Sequence, residues 1–463
     1  MNFIDTKLRG VKIVEPVAYG DNRGWFMETY NEGEFHKNNL YYNFVQDNQS
    51  FSAQKGVLRG LHFQNNPFAQ AKLVRCTQGA ILDVAVDIRK GSDTYLQYVS
   101  VELSAENKRQ LLIPRGFAHG FVTLTDNVMV QYKVDNLYSK PHDRGIQYCD
   151  PSIGVKWDIT NPILSVKDTT SPMLKDSDAN FTIKVLVTGV KGQLGYDVVK
   201  KLTQEGFECR GIDIDDCDIT DENAVKEYIV KYNPDVVVHC AAYTAVDRAE
   251  ENEAACRKVN VEGSENIAKA CRLIDAKMVY VSTDYVYGGA GEKPFEVTDK
   301  IAPLNVYGKT KFEGEQACRR HLEKLFVVRT SWVFGKNGGN FVKTMLKLAG
   351  EKNELSVVSD QIGSPTYTVD LADFLFYIIQ TDKYGIYHCS NEGYCSWNEF
   401  AKEIFRLAGK DVRVNEVLTK DYKSVAARPL NSRLSKKCLE ECGFGKMPTW
   451  QDALDRYLKE IGK

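Results

Sequence analysis

Apolar and polar residues follow two different rules along this chain. Up to about residue 170 the apolar positions fall in short runs broken by turn residues: Val11–Val17, Leu73–Arg75, Ile81–Ile88, Tyr98–Leu103, Gln110–Ile113 and Val128–Lys133. The stretch Leu82-Asp83-Val84-Ala85-Val86-Asp87-Ile88 alternates apolar and polar side chains, the period of a half-buried strand. Many short strands with few helical stretches predict an antiparallel sandwich or barrel. Near residue 183 the rule changes. Ile183-Lys184-Val185-Leu186-Val187-Thr188-Gly189 is an apolar run entering glycines, as a strand buried on both faces does. After it come helix Tyr196–Glu205, strand Glu208–Ile212, helix Glu222–Lys231, strand Asp235–Cys240, helix Val261–Ile274 and strand Lys277–Ser282. That succession predicts a doubly wound α/β sheet. Between the two patterns, Thr169–Thr182 carries Ser171, Pro172, Asp176, Ser177, Asp178 and Asn180, and reads as a short polar linker. No internal repeat is present.

Composition narrows the class. A chain of 463 residues exceeds one ordinary core. Its 43% hydrophobic and 26% charged residues are those of a globular protein. A net charge of −2 supplies no concentrated basic face for nucleic acid or an anionic membrane. No signal peptide and no bilayer-spanning apolar run is evident, so a cytoplasmic location is expected. The twelve cysteines include no CxxC pair and are expected to be reduced.

The candidate chemistry of the second half begins at Gly189, Gly192 and Gly195, spaced three apart with Gln193 and Leu194 between them. Glycines let backbone approach a pyrophosphate, and the helix that follows offers free N–H groups and the positive end of its dipole. Taken alone, the same spacing also fits a tight turn before a helix. Asp213 follows the second strand, where a carboxylate would bond an adenosine ribose. Tyr307 and Lys311 are four apart and so share a helix face. A nearby ammonium would lower the phenol's pKa toward neutrality and make Tyr307 a proton donor or acceptor. Upstream, Ser282-Thr283-Asp284-Tyr285-Val286-Tyr287 ends a strand, where open α/β sheets place ligands, and Thr283 would hold a substrate oxygen.

These residues, with His239–Asp247, Asn260, Arg329-Thr330-Ser331-Trp332, Asp360–Thr366, Arg428-Pro429 and Ser432, resemble the extended short-chain dehydrogenase/reductases. Within them they are similar to the dTDP-4-dehydrorhamnose reductases, over residues 183–463. The resemblance implies a Rossmann fold with a small C-terminal substrate region. It makes Thr283, Tyr307 and Lys311 catalytic, and Gly189, Gly192, Gln193, Leu194, Gly195, Asp213, Ala241, Ala242 and Thr244 cofactor-binding. Trp332 and Gln361 would contact the sugar. Members use NADPH, NADH or both.

In the first half the candidate residues are dispersed. An epimerase acting beside a carbonyl needs a base for the acidic carbon–hydrogen bond, a cation for the enolate and an acid on the opposite face. His62 suits the base, with Asp168 to orient it; Lys72 suits the enolate and Tyr132 the acid. Arg23, Arg59 and His119 suit a diphosphate. A histidine between Leu61 and Phe63 also fits a purely structural role. The runs Asp21–Glu28, Gln46-Asp47-Asn48, Leu58–Gln64, Pro114–Phe121 and His142–Ile146 resemble the dTDP-4-dehydrorhamnose 3,5-epimerases, over about residues 2–175. That resemblance implies a cupin-type jelly roll in which Tyr138 stacks on thymine. Arg23, Phe26, Glu28, Gln46, Asn48, Arg59, His119, Asp143 and Lys167 would bind substrate. His142-Asp143 departs from the His-Glu common in that family. The paired-histidine metal signature of cupins is absent, so no metal is expected.

Together the halves predict an epimerase at residues 1–175, acting on dTDP-4-dehydro-6-deoxy-D-glucose, and a reductase at residues 183–463 for the 4-keto dTDP-sugar that the first half makes. The expected product is dTDP-L-rhamnose. The residues also leave open the same chemistry on another nucleotide or 6-deoxyhexose, a non-catalytic cofactor-holding second half, and a carbohydrate-binding first half. A homodimer or higher homo-oligomer is expected.

Overall fold

In the computed structural model, which describes all 463 residues, the chain forms two units, Met1–Ile183 and Lys184–Lys463. The first is built from two antiparallel sheets packed face to face. One has the order β1 (Asn2–Asp5), β2 (Lys12–Glu15), β10 (Gln110–Ile113), β7 (Lys72–Gln78), β12 (Val128–Val134), β5 (Gln46–Ser52). The other runs β13 (Asp143–Gly145), β6 (Leu58–Gln64), β11 (Phe117–Thr123), β8 (Ala80–Asp87), β9 (Tyr98–Ser104). A separate hairpin joins β3 (Ala18–Asp21) to β4 (Gly24–Met27). This is a jelly-roll-type sandwich.

The alternation in β8 does not separate core from solvent. Asp83 and Asp87 are both fully buried, as are Val84 and Val86 on the opposite face. The reason is a second layer. Ile146, Ile153, Trp157 and Phe181 cover the outer face of the five-stranded sheet and pack against Phe63, Val84 and Val86. That face is dry, so the polar face of the same strand is left to look into the sandwich.

This second layer also corrects the expected linker. Thr169–Thr182 is docked along the first unit. Leu174 N–H donates to Asp150, Arg144 forks onto Asp178, Asn180 bonds Asn65 and Asn66, and Phe181 is 5% exposed. Its polar residues are spent on hydrogen bonds to the sheet edge, which composition alone cannot distinguish from solvation.

In the second unit the strands β14 (Lys184–Thr188), β15 (Glu208–Ile212), β16 (Val236–His239), β17 (Lys277–Thr283), β18 (Leu325–Thr330) and a sixth, Gly385–His388, are all parallel. Their order is β15-β14-β16-β17-β18 and then the sixth strand, so the winding reverses between β14 and β16. Val185, Leu186, Val187, Val236, Val237 and Val238 are fully buried, as a sheet covered on both faces requires. The first helix spans Gln193–Gln204 and begins three residues before the expected Tyr196, because Gly192 already occupies its N-cap position. The expected helix Val261–Ile274 is regular only over Ser264–Leu273. Lys258–Gly263 before it winds as a wider π turn that turns Asn260 inward. A further apolar cluster around Phe334, Phe400, Trp450 and Tyr457 supports the C-terminal elements.

If the layer over the five-stranded sheet is part of the first unit's core, Phe181→Ala lowers that unit's unfolding free energy by about 3 kcal/mol. A urea titration read by near-ultraviolet circular dichroism checks this; a free linker would give no change.

Candidate functional site

In the first unit, His62 and His119 are register partners on β6 and β11. Gly60 permits the close pairing there: its φ is +136° and a Cβ would lie 2.5 Å from the Gly120 Cα. His62 Nε2 lies 2.7 Å from Asp168 Oδ1. Asp168 is supplied by the short helix Val166–Thr170, which Ser165 caps through a reciprocal capping box. Its carboxylate accepts from the Ser165 hydroxyl at 2.6 Å and from Gly60 N–H at 3.2 Å. Burial alone would raise this carboxyl, but hydrogen bonds from His62 and Ser165 outweigh it and bring it down to about 2. Asp168 is therefore an anion that orients one nitrogen of His62.

A second chain crosses the sandwich. Lys72 Nζ lies 3.4 Å from His119 Nδ1, and His119 Nε2 lies 2.8 Å from Asp83 Oδ1. If the ammonium donates to Nδ1, the ring proton sits on Nε2 and donates to Asp83, an assignment made from the network. Burial lowers the Lys72 ammonium to about 8 and pushes His119 below the usual imidazole value. Tyr132 pairs with Val74 of β7 and so shares the inner face with Lys72, two residues away; burial raises its phenol.

Other expected residues gather near these. Gln46 donates to Asn48 at 2.7 Å, and Tyr138 N–H donates to Gln46 at 3.2 Å. The Tyr138 hydroxyl and Lys167 both donate to Asp143, at 3.4 and 2.6 Å. Arg59 donates to the Phe51 carbonyl at 3.1 Å. Arg23, Phe26 and Glu28 lie apart. Arg23 pairs with Asp21 within the β3–β4 hairpin, Phe26 is 70% exposed, and Glu28 accepts from Asn31. Sequence reasoning missed Asp83, whose alternating context pointed to solvent. It also missed Ser165, although Ser-x-x-Asp before a helix is a capping signal.

In the second unit the glycine turn is a cradle that side chains would fill. A Cβ on Gly189 (φ +73°) would lie 2.7 Å from Ala241 N, and one on Gly195 would lie 2.4 Å from the Gly189 carbonyl oxygen. Gly192 caps the helix without any side-chain acceptor, so the first-turn N–H groups, including those of Leu194 and Gly195, point into the turn. These features fit a pyrophosphate. The Gln193 side chain serves a different purpose, accepting from Gly335 N–H at 2.9 Å and from Asn340 at 3.1 Å. Asp213 accepts from the N–H groups of Lys191 and Ile214, both at 2.9 Å, which ties the turn to the end of β15. Ala241, Ala242 and Thr244 form the loop after β16. Ala241 N–H donates to Thr188, and Asn260 holds the Tyr243 backbone through both its N–H and its carbonyl.

Thr283 ends β17, and Tyr307 and Lys311 stand on the helix Val306–His321, capped by Asn305. Lys311 is 3% exposed, with Nζ 4.2 Å from the Tyr280 ring centroid, and burial lowers it to about 8. The expectation that this ammonium pulls Tyr307 toward neutrality is not met. Burial, assisted by Asp284, holds the Tyr307 phenol well above its ordinary value; in a desolvated cleft loss of hydration outweighs attraction to a lysine that burial itself has weakened. One turn beyond Lys311, Glu315 accepts from Arg329 through two nitrogens, at 2.9 and 2.7 Å, and from Ser282 at 2.5 Å. Arg329 also donates to the Tyr287 hydroxyl, which meets His388. This buried network joins the helix to β17 and β18. Trp332 has φ +49°, stacks on Trp397 at 3.6 Å, and stands where a Cβ on Gly363 would lie 2.6 Å from its ring. Gln361 is buried and donates to Thr419 at 3.1 Å.

The fold and the two constellations define a class: an isomerase-type jelly roll followed by an oxidoreductase-type parallel α/β unit. The comparisons with known proteins make it specific. Residues 183–462 match the RmlD substrate binding domain, and residues 5–176 match the dTDP-4-dehydrorhamnose 3,5-epimerase model. The chain belongs to both families, one in each half. A spore coat polysaccharide biosynthesis protein, SpsK, of Bacillus subtilis is 42% identical over 277 residues, which cover 60% of this chain and 97% of that protein. A dTDP-4-dehydrorhamnose 3,5-epimerase of Sinorhizobium fredii is 50% identical over 182 residues, covering 39% and 93%. The crystal structure of dTDP-4-dehydrorhamnose reductase from Bacillus anthracis in complex with NADP is 43% identical, with a TM-score of 0.59, covering 60% of this chain and 99% of that one.

Two outcomes test this geometry. Gly195→Ala places a methyl against the Gly189 carbonyl and should weaken NADH binding at least about tenfold, read by fluorescence titration. Asp168 sits at about 2, below its ordinary value near 3.9, so its contribution is present above pH 4 and is lost as pH falls toward 2. The first unit should lose about 2 kcal/mol across that window, and Asp168→Asn should flatten the loss in acid titrations.

Proposed function

We propose that residues 1–175 are an epimerase domain and residues 183–463 an NAD(P)H-dependent reductase domain. Together they convert dTDP-4-dehydro-6-deoxy-D-glucose to dTDP-L-rhamnose. The observation that carries the reading is that each half holds the groups its own step needs: His62–Asp168 across from Lys72 and Tyr132, and, in the unit with the glycine cradle, Thr283 at a strand end with Tyr307 and Lys311 on the helix Val306–His321.

In the first domain the 4-keto group acidifies carbons 3 and 5. His62, oriented by anionic Asp168, removes a proton from one face. Lys72, backed by His119 and Asp83, stabilises the enolate oxygen, and Tyr132 returns a proton from the opposite face. Gln46, Asn48, Arg59, Tyr138, Asp143 and Lys167 bind the nucleotide and its diphosphate. Arg23, Phe26 and Glu28 belong to an exposed segment that also carries Tyr19 and Trp25, at 67% and 58% exposure. Such a surface supports a homodimer or higher homo-oligomer in which this segment meets a second copy.

In the second domain the parallel sheet is a Rossmann fold. Gly189, Gly192, Gln193, Leu194, Gly195, Asp213, Ala241, Ala242 and Thr244 would hold NADPH or NADH, which when bound supplies hydride to carbon 4. Thr283 positions the carbonyl oxygen and Tyr307 gives it a proton. Lys311 holds positive charge beside that transfer, and Trp332 and Gln361 shape the sugar end. Covalent linkage keeps the ketosugar at high effective concentration near its consumer. No helix of the chain is long and apolar enough to cross a membrane.

The test is one-pot: purified protein, dTDP-4-dehydro-6-deoxyglucose and NADPH or NADH, with the product identified by NMR. His62→Ala should abolish solvent deuterium uptake at carbons 3 and 5 while leaving reduction of supplied 4-dehydrorhamnose nucleotide intact. Tyr307→Phe should do the reverse, slowing reduction by about 10²-fold or more. Full reduction by Tyr307→Phe would overturn the second assignment.

A further inference from the structure

Asp168 and Asp284 are both buried carboxyls, each beside a residue assigned to proton transfer or carbonyl binding. Their surroundings differ in one respect. Asp168 collects the His62 ring, the Ser165 hydroxyl and the Gly60 N–H. Asp284 is 3% exposed, its Oδ1 accepts from the Thr283 hydroxyl at 3.0 Å, the Ser432 hydroxyl and the N–H groups of Asp284 and Tyr285 lie close enough to favour its anion weakly, and its Oδ2 has no close partner. An ionised carboxylate with one oxygen buried and unbonded is disfavoured, and protonation of the oxygen facing Thr283 removes the buried charge.

The consequence falls on Thr283. Its oxygen already accepts from Tyr285 N–H at 3.2 Å. When Asp284 is ionised, the Thr283 proton is drawn to Oδ1 and is unavailable to a ligand. When Asp284 is neutral, its O–H donates to Thr283, and the Thr283 proton turns to the sugar carbonyl oxygen. We propose that Asp284 is a positioning residue of the reductase, whose protonated form donates to Thr283 and thereby frees the Thr283 hydroxyl to hold the substrate carbonyl. The inference rests on the reading of Thr283, Tyr307 and Lys311 given above. Asp284 loses no proton in the reaction: Tyr307 still supplies the proton that joins the carbonyl oxygen.

The groups around Asp284 agree with a neutral acid. Ser432 of the short strand Asn431–Ser432 lies beside it, Tyr307 faces it from the helix Val306–His321, and Tyr285 follows it in the chain. Arg428 and Asp247 pair with each other at 2.8 Å and act on Tyr285. Burial raises the Asp284 carboxyl to about 6, against the lowering from Ser432 and Thr283. The acid is thus present below about pH 6 and is lost as pH rises.

The experiment is the pH profile of kcat/KM for reduction, with pre-epimerised 4-keto sugar nucleotide and NADPH. The unsubstituted enzyme should fall by up to about 50-fold between pH 6 and pH 8, the loss expected of one acid titrating near 6. Asp284→Asn keeps an N–H donor toward Thr283 at every pH, so it should lose this alkaline fall and exceed the unsubstituted enzyme at pH 8 by about tenfold. NADPH binding, read by fluorescence titration in the same protein, reports folding of the second unit, which holds Asp284. An Asp284→Asn profile that still falls with pH, or a loss of reduction at all pH values with NADPH binding intact, overturns the proposal. Thr283→Val, run in parallel, separates the two levels: full reduction by that variant would sink the reading of the site itself.

Discussion

A carboxyl group taken out of water must collect donors or give up its charge, and both halves of this chain are organised around that constraint. In the jelly roll, a capped helical turn, a glycine N–H and an imidazole converge on Asp168, so a full negative charge survives inside a sandwich of two sheets. That charge fixes which nitrogen of His62 faces the cavity. Lys72 and His119, in contrast, are pushed by burial toward their neutral forms. In the α/β unit Glu315 solves the problem by taking a forked arginine, and the Asp284 carboxyl holds its proton more tightly, raised to about 6 by burial.

The Glu315–Arg329 pair illustrates what such a group does for a site it does not touch. Glu315 stands one turn beyond Lys311, and its acceptor oxygens are bonded to Ser282, next to Thr283, and to Arg329 on the neighbouring strand. The helix bearing Tyr307 and the strand bearing Thr283 are thus held by hydrogen bonds inside a fully buried pair. Breaking such a pair by removing one partner is strongly destabilising, whereas apolar replacements of both are often tolerated. Its value to the site is geometric.

Much of this was legible in the sequence, unevenly. The parallel strands, the glycine turn and the Tyr-x-x-x-Lys helix could be placed because each is local: a run, a spacing, a period. The register partners His62 and His119 lie far apart in the chain and are joined only by the sheet, so no window contains them. Asp83 was hidden by its own pattern, since alternation implies one wet face and β8 has none. The depressed phenol expected for Tyr307 failed for a related reason: charge proximity is visible in a spacing, but desolvation depends on the whole cleft.

The layer of chain over the outer face of the five-stranded sheet bears on where this protein can be divided. The match to the epimerase family ends at residue 176, yet Asp178, Asn180 and Phe181 still belong to the first unit by their hydrogen bonds and packing. Ile183 donates its N–H to Lys90 in the first unit, and Lys184 donates to Asp235 in the second. A recombinant half cut where sequence similarity ends would therefore strip the Phe181 ring from Phe63. One cut after residue 183 would keep the cover in place. The boundary a family inherits and the boundary a fold enforces differ here by seven residues.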